Sequence, residues 1–233
     1  MPESIKVEVA PADQVTALLY PAEASSAAGI TLILGHGAGA DQRNAFMVNF
    51  ATELARRGID TATFNFLYTE HRRRLPDRND RLEACYRAVI DAVGDRIFHQ
   101  ARGRNKLAIG GKSMGGRIAS QVAAASPLDL AGLVFLGYPL HPPGKPDQLR
   151  SKHLGRIGAP MLFVQGSRDA FGTPEELRPI VRDLGRSAEI FVVEGGDHSF
   201  KVPKKIGIPQ QQVYNVILDH VAQWLERTAR HPK

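Results

Sequence analysis

The sequence predicts an α/β fold, a mostly parallel central sheet with helices on both faces, and three observations carry that prediction. Short β-type apolar runs alternate with longer amphipathic stretches along all 233 residues, the pattern of strands joined by crossover helices. Several of the short runs, 31–34 and 161–165 among them, are nearly continuous in apolar character rather than alternating, as strands covered on both faces require. No internal repeat, low-complexity tract or long linker interrupts the pattern, so 1–233 is expected to be a single domain.

Taken in order, 6–9 and 15–20 read as two early strands forming an antiparallel edge, followed by an Ala/Ser-rich turn at 22–29. Residues 31–34 are the first buried strand. A helix is expected over 45–57, with Phe46, Phe50 and Leu54 on one face and Gly58 as its stop. Residues 61–66 are the next strand. After a charged loop, 80–93 form a helix burying Leu82, Tyr86, Val89, Ile90 and Val93. A strand at 106–110 leads into a small-residue helix at 114–125. Strands follow at 130–136 and 161–165. Pro174 opens a helix to about 184, since proline suits a first turn. The last strand is 189–193, and the last helix, 211–227, buries Val213, Ile217, Val221, Trp224 and Leu225.

Composition narrows the function. One cysteine, Cys85, precludes an internal disulfide framework and fits a reducing compartment. Its mid-helix place among apolar neighbours makes it a core residue rather than a nucleophile. The first residues lack a basic-then-apolar signal pattern and no apolar run reaches membrane-spanning length, so a cytoplasmic protein without a membrane partner is expected. The formal charge of +6 raises the question of nucleic acid, but acids are interspersed with the basic residues and no recognition motif accompanies them; no nucleic-acid partner is expected. No pair among His71, His99, His141, His153, His220 and His231 has metal-ligand spacing, so neither metal nor cofactor is expected.

The strongest local signal is Gly111-Lys112-Ser113-Met114-Gly115, set between the apolar strand Leu107-Ala108-Ile109 and a small-residue helix. A serine at such a strand-to-helix turn is exposed as a nucleophile, flanked by residues small enough for the crowded turn and by free N–H groups at the helix start. The N–H of Met114 is one expected oxyanion donor. The other is the N–H of Ala38 in Gly35-His36-Gly37-Ala38-Gly39, where glycines allow close backbone approach. His36 is read chiefly as a brace for this loop, rather than as the catalytic base, with substrate contact as its other reading. The glycines lack dinucleotide-binding spacing. An acid is expected after a later strand, and Gly166-Ser167-Arg168-Asp169 places Asp169 there. A base is expected after the last strand, and Gly195-Gly196-Asp197-His198 offers His198. Asp197 is the alternate acid but lies too close along the chain to reach that ring easily.

With HGAG, GKSMGG, QGSRD and GDHSF in place, the chain resembles the dienelactone-hydrolase-like branch of the α/β-hydrolase superfamily. It is most similar to bacterial hydrolases related to the eukaryotic testis-expressed and NSL-complex-subunit proteins. The resemblance spans 31–226 and includes Tyr138-Pro139-Leu140-His141-Pro142-Pro143-Gly144-Lys145-Pro146. It implies an α/β-hydrolase fold and the triad Ser113, Asp169 and His198. Dienelactone hydrolases proper carry cysteine where Ser113 stands, so dienelactones are not implied as substrates. Some eukaryotic relatives are scaffolds, so a catalytically inactive binding protein is the alternative.

Only 138–159 lie where many lipases insert a lid domain; an extended Pro-rich part and a short helix at 148–156 are expected, leaving an open site for small ester or thioester substrates. Arg73, in the basic loop 70–74, together with Lys112, Arg168 and Lys201, is placed on or near the active-site edge. These residues read either as a rim for an anionic substrate or as solvated surface charges, some of them paired with Glu70 and Asp77.

Overall fold

The computed structural model describes residues 2–23, 25–99 and 105–230. The expected turn at 22–29 includes residue 24, and His231 closes the histidine set; both of those residues lie outside the described ones. Eight strands, β1 (Glu3–Ala10), β2 (Asp13–Tyr20), β3 (Ile30–Gly35), β4 (Asp60–Phe64), β5 (Lys106–Lys112), β6 (Gly132–Leu136), β7 (Met161–Gly166) and β8 (Ala188–Val193), form one sheet in the order β1-β2-β4-β3-β5-β6-β7-β8. β1 pairs antiparallel with β2, and β2 antiparallel with β4; every other neighbouring pair is parallel. The helices are α1 (Ala45–Arg56), α2 (Leu67–Glu70), α3 (Asn79–His99), α4 (Met114–Ala125), α5 (Pro174–Leu184) and α6 (Gln210–Arg230).

The strict side-chain alternation of a strand explains the two cores. Ile33, Ile109, Leu133, Phe135, Met161 and Phe163 point to the face covered by α3, α4 and α5. Their neighbours Leu32, Leu34, Ala108, Val134, Leu136, Leu162 and Val164 point to the other face, under α1 and α6. Both faces of the central strands are therefore buried, which is why their sequences show no polar alternation. On the second face Trp224 is the largest buried side chain. It packs so closely on β6 that a Cβ at Gly132 would stand 2.6 Å from its ring.

The order of strands places the site. The chain runs from β3 outward to β4, then crosses back to add β5 on the other side of β3. The crevice at the carboxyl ends of β3 and β5 is thus a topological switch point, where ligands gather in open α/β sheets. The Tyr86 hydroxyl, reaching from α3, ties these two strands together. It lies 2.9 Å from the Ile33 carbonyl oxygen and 2.6 Å from that of Gly110, and accepts from the Gly110 N–H at 3.0 Å.

Three expectations change. The strand expected at 61–66 ends at Phe64, because the chain leaves the ladder there and Phe66, still extended, caps the start of α2. Phe66 is buried, as a strand residue would be, but as the cap of α2, whose Leu67 and Tyr68 are buried with it. α3 extends well beyond the expected 80–93. The short helix expected at 148–156 is reduced to a 3-10 turn at Leu154–Arg156. Upstream of that turn the backbone bonds elsewhere: the Arg150 N–H donates to the Leu140 carbonyl and the Tyr138 hydroxyl to the Arg150 carbonyl. With no lid domain between β6 and β7, the site edge is left open.

Candidate active site

Ser113 stands between the end of β5 and the start of α4 with φ 50° and ψ −113°. Positive φ in a residue with a side chain is strained by about 1–3 kcal/mol, and the surrounding structure holds it there. Gly111 and Gly115 make this possible. A Cβ on either would collide with the Gly35 carbonyl at the end of β3, so the turn closes against β3 only if both positions are bare. The Ser113 N–H donates to the Leu136 carbonyl at 3.1 Å, which fixes the turn against β6.

Two chain-distant loops meet this serine. The His198 Nε2 lies 2.8 Å from Ser113 Oγ, and its Nδ1 lies 2.7 Å from Asp169 Oδ2. The Asp169 side chain is wholly buried and that of His198 is 20% exposed. With an ionised carboxylate on Nδ1, that nitrogen carries the hydrogen and Nε2 is the acceptor that faces the serine hydroxyl. The sequence-predicted Ser113, Asp169 and His198 are brought together. Asp197 is not part of this chain of bonds: its Oδ1 accepts from the N–H groups of Ser199 and Lys201 at 2.8 and 2.9 Å, shaping the loop that carries His198.

Two residues that the sequence reading passed over complete the arrangement. Gln165, fully buried at the end of β7, donates from Nε2 to Asp169 Oδ2 at 2.8 Å and to the Gly172 carbonyl at 2.7 Å, while its Oε1 accepts from the Tyr138 N–H. Phe171 donates its N–H to Asp169 Oδ1 at 2.8 Å, and its ring stacks on the His198 imidazole with centroids 4.2 Å apart. The signal for Gln165 was available: it is a polar side chain closing an otherwise apolar buried strand.

The loop after β3 lies beside the serine. A Cβ at Gly37 would stand 3.7 Å from Ser113 Cβ, and Ala38, next in the chain, is exposed. Met114 opens α4, so its N–H belongs to the first turn, which lacks intrahelical acceptors. His36 is fully buried, and substrate contact is therefore corrected in favour of bracing. Its Nδ1 donates to the Gly37 carbonyl at 2.8 Å and its Nε2 accepts from the Phe66 N–H at 3.3 Å. Burial pulls its pKa down, opposed by the Gly37 hydrogen bond and the Asp41 charge.

The expected rim is corrected at one further position. Lys112 turns inward, donating from Nζ to the His198 carbonyl at 2.7 Å. Burial takes its pKa down to about 8, against the opposing pull of Asp169 and Asp197. Arg73 stays 45% exposed and pairs with Asp77 at 2.8 Å, the ion-paired surface reading offered for it. Arg168 and Lys201 are exposed. Among the described residues no group of three or more His, Cys, Asp and Glu is arranged to hold a metal ion, and no helix is long and apolar enough to cross a membrane. Cys85 is buried and its pKa is pushed up to about 12 by that burial, which keeps it a thiol.

Residues 28–226 match the alpha/beta hydrolase domain family, and the chain belongs to that family. Solved structures share the fold. An alpha-beta serine hydrolase homologue from Coxiella burnetii is similar at 19% identity and a TM-score of 0.68, over 97% of this chain and 96% of that one. A serine hydrolase without a lid from Xanthomonas campestris is similar at 19% identity and 0.70, over 100% and 96%. A dienelactone hydrolase from Anabaena variabilis is similar at 19% and 0.70, over 97% of both chains.

Proposed function

We propose that this protein is a serine hydrolase that cleaves small carboxylic esters or thioesters through an acyl-enzyme intermediate, with Ser113, His198 and Asp169 as its triad. The observation that carries this reading is the unbroken hydrogen-bond chain from the Ser113 hydroxyl through both imidazole nitrogens to a buried carboxylate. In that geometry Ser113 Oγ attacks the substrate carbonyl while His198 Nε2 takes its proton. The N–H groups of Ala38 and Met114 receive the developing oxyanion, and Asp169 stabilises the imidazolium. His198 then returns the proton to the leaving alcohol or thiol. Water, deprotonated by the same imidazole, attacks the acyl-enzyme, releases the acid and restores Ser113.

Within the family we place the chain in the dienelactone-hydrolase-like branch, near the relatives of the testis-expressed and NSL-complex-subunit proteins. HGAG, GKSMGG and the 138–146 segment support that placement, while the serine at position 113, where dienelactone hydrolases proper carry cysteine, sets dienelactones aside as substrates. The absence of a lid domain over the β5 edge supports small or accessible substrates, and a lone buried thiol supports a cytoplasmic setting.

The test is covalent labelling with a fluorophosphonate probe. The native protein should label at Ser113, and Ser113→Ala and His198→Ala should abolish labelling. Ser113→Ala should also lower kcat on short-chain acyl esters by roughly 10⁴-fold or more. Native protein that neither labels nor turns over any short ester or thioester would leave the fold as a binding scaffold.

A further inference from the structure

Lys112 immediately precedes the nucleophile, yet its side chain serves the base. Its Nζ donates to the main-chain carbonyl of His198 at 2.7 Å. This contact is built around Gly137, which follows β6 with φ +70°. A Cβ there would lie 3.0 Å from the His198 carbonyl oxygen, 3.1 Å from Lys112 Nζ and 3.4 Å from His198 Nδ1. The ammonium, the base's carbonyl and the imidazole nitrogen that faces Asp169 therefore converge on one point. Phe200 closes the other side, its ring centroid 5.8 Å from Nζ. The charged and titratable groups around this ammonium are Asp169 from the loop after β7, and Asp197 and His198 from the loop after β8.

A neutral donor would tether a carbonyl equally well, and burying an ammonium is costly unless its charge is used. Here the charge stands beside an imidazole whose other neighbour is a buried carboxylate. The carboxylate favours the imidazolium and a nearby cation disfavours it. We propose that Lys112 is a positioning and charge-setting residue for His198, holding its backbone in reach of Ser113 and offsetting Asp169 so that the imidazole stays neutral and ready to accept the serine proton. This rests on the Ser113–His198–Asp169 reading. The desolvation that pulls the Lys112 pKa down to about 8 leaves the charge present through neutral pH and lost above it.

The experiment measures the second-order rate constant for fluorophosphonate labelling of Ser113 across about pH 5 to 9, the range in which histidine titrates. It compares native protein with K112R, K112Q and K112M. Losing the cation should raise the midpoint of the acid limb by about half a pH unit or more in K112Q and K112M, while K112R keeps the native midpoint. The plateau rate should fall about tenfold in K112M and less in K112Q, which retains a donor. An unmoved acid limb in K112Q overturns the charge-setting role, as does a K112R midpoint displaced as far as that of K112Q. K112Q and K112R decide the matter even if K112M does not fold. Labelling that persists in Ser113→Ala would instead sink the triad reading, so the two failures are separable.

Discussion

At the level of single residues, the site is a set of contacts that remove freedom from the His198 imidazole. Asp169 holds Nδ1, Phe171 stacks on the ring, and Lys112 holds the carbonyl of the same residue. Gln165 acts one step further out. It donates to the same Asp169 oxygen that faces the imidazole, so it aims the carboxylate and shares its negative charge. Gln165→Leu should lower kcat on a short ester about tenfold or more with little change in KM, because the lost bond matters most when the imidazolium forms. Steady-state kinetics on a folded Gln165→Leu preparation checks this, and unchanged kcat would remove Gln165 from the positioning set.

At the level of elements, the turn between β5 and α4 depends on β3 lying against it. Gly115→Ala would drive a methyl into the Gly35 carbonyl and should destabilise the protein by about 1–3 kcal/mol. A shift in the denaturant midpoint reads this directly, and activity should fall with it because the N–H groups proposed as oxyanion donors are on the same two segments. A second element-scale prediction concerns the 3-10 turn after β6. His153 Nε2 lies 2.7 Å from Ser120 Oγ on α4, and burial, with help from Arg117 and Arg156, brings its pKa down to about 4. The folded value lies below the unfolded one, so between the ordinary histidine pKa near 6.5 and about 4 the unfolded chain binds more protons. Stability is held above about pH 6.5 and declines as pH falls through this window. Chemical denaturation at about pH 7 and about pH 4.5 should show that decline, and His153→Gln should flatten it.

At the level of the whole molecule, the sheet order and the missing lid decide what reaches Ser113. No lid domain is inserted between β6 and β7, and Arg168 and Lys201 are exposed on the loops that follow β7 and β8. With Lys112 turned inward and Arg73 held by Asp77, we expect steering to be modest. For an anionic short-chain ester, kcat/KM should exceed that for its neutral analogue by a few-fold at low salt, and the advantage should disappear at about 0.5 M salt. Equal and salt-insensitive values would show that the remaining charges are merely solvated.

Much of this was legible in the chain. Apolar runs without alternation marked the central strands, and their order placed a serine, an acid and a histidine each at the carboxyl end of a strand. Glycines around Ser113 marked the turn that it needs. These features are local: they depend on strand periodicity, turn sterics and the sequence order of elements, which a single strand or turn displays by itself. The direction of long side chains was not legible. Lys112 read as part of a solvent-facing rim, whereas it reaches a backbone carbonyl across the site. The helix expected at 148–156 failed for a related reason, because its backbone found partners in 138–140. Those outcomes depend on which loops the completed sheet sets beside one another, and only the tertiary structure decides that.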